Sequence, residues 1–281
     1  MARLAYRILN VFARPGERLS GNPLCVFEDG AALDAEQMQA LALQFNLSET
    51  TFILPSERAD ARVRIFTPAY EMPFAGHPTL GSAHVVRALT GRGDRVTLEL
   101  AAGVIPVAAG GDFWELRANA ATTRAPRAGA AELAAALGVQ AGDIAGPALW
   151  VDSGSEQLVV PLASEDAVCR VQLSIEALRR ATGDGPRAQA YVFARRGDGG
   201  VLARFFFSKG ESLLEDPATG SATANLGGWL LAQGAELPLT LAIAQGEMAG
   251  RPSLLRLRID AARNVFVAGE VIELGRGVVE L

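Results

Sequence analysis

Two kinds of hydrophobic pattern alternate along the chain. "AYRILNVFA" (5–13) is rich in β-branched and aromatic residues and stops at the turn-rich "RPGERLSG", which predicts a strand and a loop. "NPLCVFED" predicts a second strand. "LDAEQMQALALQFN" carries Met38, Leu41, Ala42 and Phe45 at helical spacing, with Asp34 placed to cap and Gln37 three residues on, which predicts a helix. "TTFILP" and "ARVRIFTP" predict strands. "PTLGSAHVVRALTG" (78–91) predicts a helix with Pro78 at its first position and Gly91 past its end. "RVTLELAAGVIPVAA" and "DFWELRA" predict antiparallel strands.

The Ala- and Pro-rich "ATTRAPRAGAAELAAALGV" (121–139) marks a domain boundary near its start. A second series follows. "ALWVDSGSEQLVVPLA" predicts a strand pair around a glycine turn, "SIEALRRATG" a short helix, and "AQAYVFARRGDGGVLARFFFS" a hairpin. "PATGSATANLGGWLLAQG" predicts a helix from Pro217 to about Gln233, stopped by Gly234, and the tail is strand-rich.

The two series share a unit. "RIFTPAYEMPFAGHPTLGSA" and "RFFFSKGESLLEDPATGSA" both run from an Arg-x-Phe strand through a loop into His/Asp-Pro-x-x-Gly-Ser-Ala and a helix, at an offset of 139 (77 to 216). This predicts an internal duplication, one α+β unit per half, assigned to 1–120, which the tail of about 265–281 can join, and 121–264. Both repeat helices read as apolar nearly all round: Leu80, Ala83, Val85, Val86 and Leu89 in one, and Ala222, Ala224, Leu226, Trp229, Leu230 and Leu231 in the other. Such helices are buried, here by a sheet wrapped around each.

Composition narrows the class. The 281 residues are 49% hydrophobic, enough for a large core or two smaller ones, and carry a net charge of −5. No basic block exists to hold nucleic acid. Cys25 and Cys169 build neither a disulfide framework nor a metal-like spacing. The start lacks the marks of a signal peptide, and no apolar run is long enough to span a bilayer. The expectation is a soluble, cytoplasmic protein without membrane or nucleic-acid partners.

The repeated turn offers chemistry. A helix start presents unpaired backbone N–H groups and about half a positive charge, and small residues let a ligand come close. Gly81-Ser82-Ala83 and Gly220-Ser221-Ala222 are read as the first turns, each able to hold a carboxylate. If the halves face each other, His77 and Asp216 meet across one cleft. Asp216 before Pro217 is equally well explained as an N-cap, and Ser82 and Ser221 by their small size. His84 reads as structural, and no carboxylate completes a metal-ligand set with the two histidines. Glu49, in "NLSETTF", enters an apolar strand. Burial there would disfavour its charged form and suit a general base or acid. From spacing alone a solvated loop carboxylate explains it better.

"GNPLCVF", "NLSETTF", "RIFTPAYEMPFAGHPTLGSA", "EDPATGSA" and "QGEMAGRPS", in this order, resemble the signature segments of the phenazine-biosynthesis PhzF-like family. The resemblance implies two similar α+β halves, each a mixed, mostly antiparallel sheet curled around a central buried helix, as in the diaminopimelate epimerase-like fold. It implies a homodimeric isomerase that needs neither metal nor organic cofactor and acts on a small-molecule carboxylate in the cleft between the halves. By motif, the catalytic residues fall on Glu49, His77 and Asp216, and the cleft glycine and serine on Gly76 and Ser221. Backbone at Gly81, Ser82 and Gly220 is expected to help hold the carboxylate. Epimerases of this fold use two opposed cysteines. Their places here are Ala75 or Gly76 and Thr219 or Gly220, so a two-thiol racemase is disfavoured. A racemase or epimerase of a small amino or hydroxy acid and a non-catalytic protein that binds a small carboxylate remain as alternatives.

Overall fold

A computed structural model describes residues 3–281 except residues 184 and 186. The chain divides into two compact units. One runs up to Arg117 and takes in Ala268–Leu281; the other is Ala118–Val267.

In the first unit the order is β1 (Arg3–Ala13), β2 (Asn22–Phe27), α1 (Ala35–Phe45), β3 (Glu49–Leu54), β4 (Ala61–Phe66), β5 (Glu71–Met72), α2 (Gly76–Thr90), β6 (Arg95–Leu100), β7 (Gly103–Gly110) and β8 (Phe113–Arg117). In the second it is β9 (Thr122–Arg124), α3 (Ala130–Leu137), β10 (Leu149–Asp152), β11 (Glu156–Pro161), α4 (Glu165–Arg170), α5 (Ile175–Ala181), β12 (Gln189–Arg195), β13 (Val201–Lys209), β14 (Ser212–Asp216), α6 (Gly220–Ala232), β15 (Leu239–Gln245) and β16 (Ser253–Ile259), before β17 (Val265–Glu280). Both units mix parallel and antiparallel pairs. β2 runs parallel to β3, with Leu24 beside Glu49, and β3 antiparallel to β4. β11 runs parallel to β12, and β12 antiparallel to β13.

The α1 capping box forms as its sequence predicts: Asp34 accepts from the Gln37 backbone and the Gln37 side chain accepts from the Asp34 backbone. Met38, Leu41 and Ala42 bury against β3 and β4. Asn46 ends the helix in the left-handed region, at φ 50, and turns the chain into β3. Helix α2 packs against β1, β2, β3, β4, β6 and β8, and α6 against β9, β10, β11 and β16. Neither is apolar on every side. Leu89 is exposed, and Trp229 and Leu231 are half-buried. Helices α3 and α4 lie where no helix was expected. Both have local support, Ala-rich sequence with Glu132 closing on Gly129 in α3 and a Ser164 cap in α4, and Leu133, Leu137, Ala167 and Val168 join the core that β11 and β12 build with Leu158, Val160 and Val192.

The two strand–turn–helix segments share a local pattern, in another register than their Gly-Ser-Ala motifs suggest. In β4 and β5, Phe66 pairs with Glu71, and the Arg64 guanidinium grips both Glu71 oxygens at 2.7 and 2.6 Å while lying over the Phe66 ring. In β13 and β14, Phe206 pairs with Glu215, and Arg204 grips Glu215 at 3.0 and 2.8 Å over the Phe206 ring. Pro73 and Pro217 follow, then Gly76 and Gly220 open the helices. The equivalent offset is therefore 144 (76 to 220). His77 matches Ser221, and Met72 matches Asp216. The second Gly-Ser-Ala drew the sequence alignment out of step. Helix α2 accordingly starts at Gly76, ahead of the expected Pro78, and α6 at Gly220, after the expected Pro217.

The two clamps differ in burial. Arg204 and Glu215 keep 9% and 15% of their side-chain exposure, against 21% and 39% for Arg64 and Glu71. Arg204 also donates to the carbonyls of Val168 and Val171 at the end of α4. Removing one partner of a buried pair strands the other charge, whereas exposed pairs contribute little. Arg204→Ala is expected to cost about 3–5 kcal/mol and Arg64→Ala about 1 kcal/mol or less in urea unfolding. Equal losses would contradict this ranking.

Candidate active site

Glu49 is the first residue of β3 and His77 the second of α2. Strand β2 lies beside β3 and also packs on α2, so it brings the two side chains together. His77 Nε2 lies 3.1 Å from Glu49 Oε2. Burial pushes the His77 imidazole down to about 3, partly offset by an N–H bond to the Pro23 carbonyl, so the ring is neutral at pH 7. A neutral imidazole has one N–H. Nε2 makes no aligned hydrogen bond, so the proton given to Pro23 is assigned to Nδ1, and Nε2 meets Glu49 away from its in-plane direction. The contact is thus not an ion pair. Glu49 is half-buried rather than the solvated loop carboxylate that its spacing favoured.

The start of α2 has no side-chain cap, because Ala75 holds the N-cap position. Its first backbone donors belong to Gly76 and His77; Pro78 has none, and Thr79 N–H already bonds the Ala75 carbonyl. Gly81 and Ser82 do not lie in this turn. A Cβ on Gly81 would strike Leu24 Cδ2 and press on Val11, so its smallness serves packing. Ser82 is fully buried and bonds Thr51 Oγ1 at 2.9 Å. Both expectations of ligand contact are corrected, because the helix begins at Gly76, two residues ahead of its proline, and leaves Gly81 and Ser82 in its second turn.

In the second unit Asp216 ends β14 and is not the cap of α6. The N-cap is Thr219, whose hydroxyl turns back to Asp216 Oδ2 at 2.5 Å. Gln245, fully buried, donates to the Asp216 carbonyl and the Thr219 hydroxyl. The next residue, Gly246, passes so close to Pro217 that a Cβ would sit 2.5 Å from its carbonyl oxygen, at a φ of 86 that also favours glycine. Since Thr219 faces away, the backbone N–H groups of Gly220 and Ser221 lack a side-chain cap, and Ser221 Oγ accepts from Gln157 at 2.9 Å. Gln245 and Gln157 were not recognised in the sequence, and Thr219 was read only as the place of an absent cysteine. "QGEMAGRPS" was a signature segment without a role, and its Gln245-Gly246 pair is what supports the Asp216 turn.

The thiols are elsewhere. Cys25 is buried in the core with Phe27, Met38 and Phe52, where burial pushes its thiol up; Cys169 is exposed. His84 accepts from the Nε1–H of the fully buried Trp114. Among the described residues no group of histidine, cysteine and carboxylate side chains is arranged to hold a metal, and no helix is long and apolar enough to cross a membrane.

A family model described as phenazine biosynthesis-like protein matches residues 9–277. The chain belongs to the phenazine biosynthesis-like protein family. Family relatives include an uncharacterized isomerase of Pasteurella multocida, 36% identical over 97% of this chain and 93% of the relative. The trans-2,3-dihydro-3-hydroxyanthranilate isomerase of Pseudomonas aeruginosa is also 36% identical, over 98% and 97%. These relatives place the chain among isomerases. A solved structure of a predicted epimerase from Pseudomonas aeruginosa is 30% identical, with a TM-score of 0.81 and full coverage of both chains. A family protein from Bacillus anthracis, 24% identical, has a TM-score of 0.89 over both full lengths. A probable proline racemase, 12% identical, shares the fold at 0.69 over 99% of this chain and 93% of its own.

The unfolded chain takes up a proton at His77 below its ordinary 6.5, whereas the folded protein does not until about 3. Stability from this group therefore falls as pH drops from 6.5 toward 3, by up to about 1.4 kcal/mol per pH unit. Urea unfolding of wild type at pH 7, 5.5 and 4.5 is expected to show this loss, and His77→Gln a shallower slope. Equal slopes would mean that the imidazole is not held neutral. Gly81→Ala is expected to cost about 1–3 kcal/mol by overpacking, measured by the same unfolding.

Proposed function

We propose that this protein is a cofactor-free isomerase that moves a proton along a small carboxylate-bearing substrate, with Glu49 as proton carrier. The observation that carries the reading is the 3.1 Å approach of Glu49 Oε2 to a neutral His77 Nε2. A carboxylate that takes a proton from an activated carbon finds a partner for it in Nε2 once a small turn of the carboxyl brings Oε2–H into line. The acid so formed is oriented and can return its proton further along the conjugated system. One group then serves as base and acid in turn. Each helix start, with the backbone donors of Gly76 and His77 in the first unit and of Gly220 and Ser221 in the second, is assigned to a carboxylate. Asp216, steadied by Thr219, is assigned to a polar group of a ligand at the second start.

We also infer that the units descend from one duplicated α+β ancestor, each with a sheet curled around its buried helix. The paired Arg-Glu-aromatic clamps and the matching helix starts support this. The relatives' names suggest trans-2,3-dihydro-3-hydroxyanthranilate as the first compound to try.

Incubation with that compound in D₂O is expected to give product with deuterium at carbon. Glu49→Gln should lower turnover by at least about 10²–10⁴-fold with little change in unfolding midpoint, since glutamine keeps the shape but cannot trade a proton. Near-normal turnover by Glu49→Gln would remove Glu49 from the mechanism. Deuterium entering substrate without net conversion would mark a racemase instead.

A further inference from the structure

The two helix starts are backed by different chemistry. Four residues into α2 from His77 stands Gly81, and Leu24 packs over it. The matching place in α6, four residues after Ser221, is Asn225, and beneath it lies Gln157. Gln157 is 2% exposed and Asn225 0%. Burying two amides is costly unless every bond is made, and Leu24 over Gly81 shows that the same packing position accepts an apolar pair. The polar pair therefore does more than fill space.

Its bonds run in one direction. Asn225 Oδ1 accepts from the Ser153 backbone at 3.0 Å and from the Ser153 hydroxyl at 2.7 Å. Asn225 Nδ2 donates to the Ser155 carbonyl at 2.8 Å and to Gln157 Oε1 at 2.9 Å. Gln157 Nε2 then donates to Ser221 Oγ at 2.9 Å. The Ser153 backbone N–H can only donate, so it fixes which way both amides point. Ser221 Oγ is left as an acceptor from Gln157, and its own O–H must be given elsewhere.

We propose that Gln157 is a positioning residue that makes the half-buried Ser221 hydroxyl an obligate donor toward a ligand carboxylate at the start of α6, adding one side-chain donor to the Gly220 and Ser221 backbone N–H groups. This rests on the carboxylate reading above. In the first unit the matching residue, His77, is instead tied to the Pro23 carbonyl. The relay thus makes the two helix starts unequal, the second being the better anion holder.

Gln157→Glu tests this with almost no change of shape. An ionised carboxyl at 157 still accepts from Asn225 but also accepts from Ser221, so the hydroxyl turns away from the ligand and offers it lone pairs. Titration calorimetry with sodium benzoate between pH 5.5 and 8.5 is expected to give a flat affinity for wild type. For Gln157→Glu the affinity should fall by about tenfold as the introduced carboxyl ionises, the loss of one charge-assisted hydrogen bond. In Ser221→Ala the affinity should already be low, and adding Gln157→Glu should bring no further pH dependence. Gln157→Glu that follows wild type at every pH, or a pH dependence that survives in the Ser221→Ala background, would overturn the proposal. A second readout needs no ligand: the Gln157 side-chain amide protons, followed by NMR exchange, should be protected in wild type and less so in Ser221→Ala. Unchanged protection would also overturn the relay. Intact protection with no benzoate bound by wild type would instead overturn the carboxylate reading of the site.

Discussion

A forked ion pair decides where each buried helix begins. Arg64 holds both oxygens of Glu71, and Arg204 both oxygens of Glu215, each over a phenylalanine of its own strand. The grip fixes where the chain leaves the strand, and a proline follows directly. The helix then opens on glycine, with no side chain to cap it. Whatever stands second in the helix is delivered to the same place in its unit, His77 in one and Ser221 in the other. Together with the backbone pairing of Phe66 with Glu71 and Phe206 with Glu215, the clamp sets the count from strand to helix.

The matching positions of the two units differ in charge. Thr50 pairs with Phe66, and Ala190 with Phe206, so the residue ahead of each is Glu49 in one unit and Gln189 in the other. Glutamine keeps the volume and the hydrogen bonding of glutamate without its proton. Gln189 spends its amide on the Glu156 carbonyl. One unit can therefore carry a proton at this position and the other cannot. A single carrier suits a proton that leaves and returns by the same group, and suits poorly a mechanism with two opposed bases.

Much of this was legible in the sequence. The capping box of α1, the strands around Glu49, and the pairing of a histidine turn with a glutamate segment were carried by local signals and by family resemblance. The register of the repeat was not. Gly-Ser-Ala occurs at both sites and reads as the shared element, yet Gly81 and Ser82 sit inside a helix facing the core, while Gly220 and Ser221 open one. Short small-residue motifs cannot be aligned without knowing which strand residues pair; the Arg-Glu clamp, visible only in three dimensions, supplies that. Gln157, Asn225 and Gln245 escaped for a related reason. An isolated amide in an apolar run carries no pattern, and its role appears only when its bonds are traced.

The fate of Cys25 has a consequence for where such a protein can work. Its sulfur is enclosed by aromatic and aliphatic side chains, and burial holds it as the unreactive thiol. Enzymes that shuttle protons between thiols depend on a reducing environment, because peroxide or a disulfide exchange partner disables them. With carboxyl, imidazole and hydroxyl groups at the helix starts and the nearest-strand thiol sealed away, the proposed proton transfer is indifferent to oxidant. Chemistry of this kind would continue beside redox-active metabolites that would silence a two-cysteine relative of the same fold.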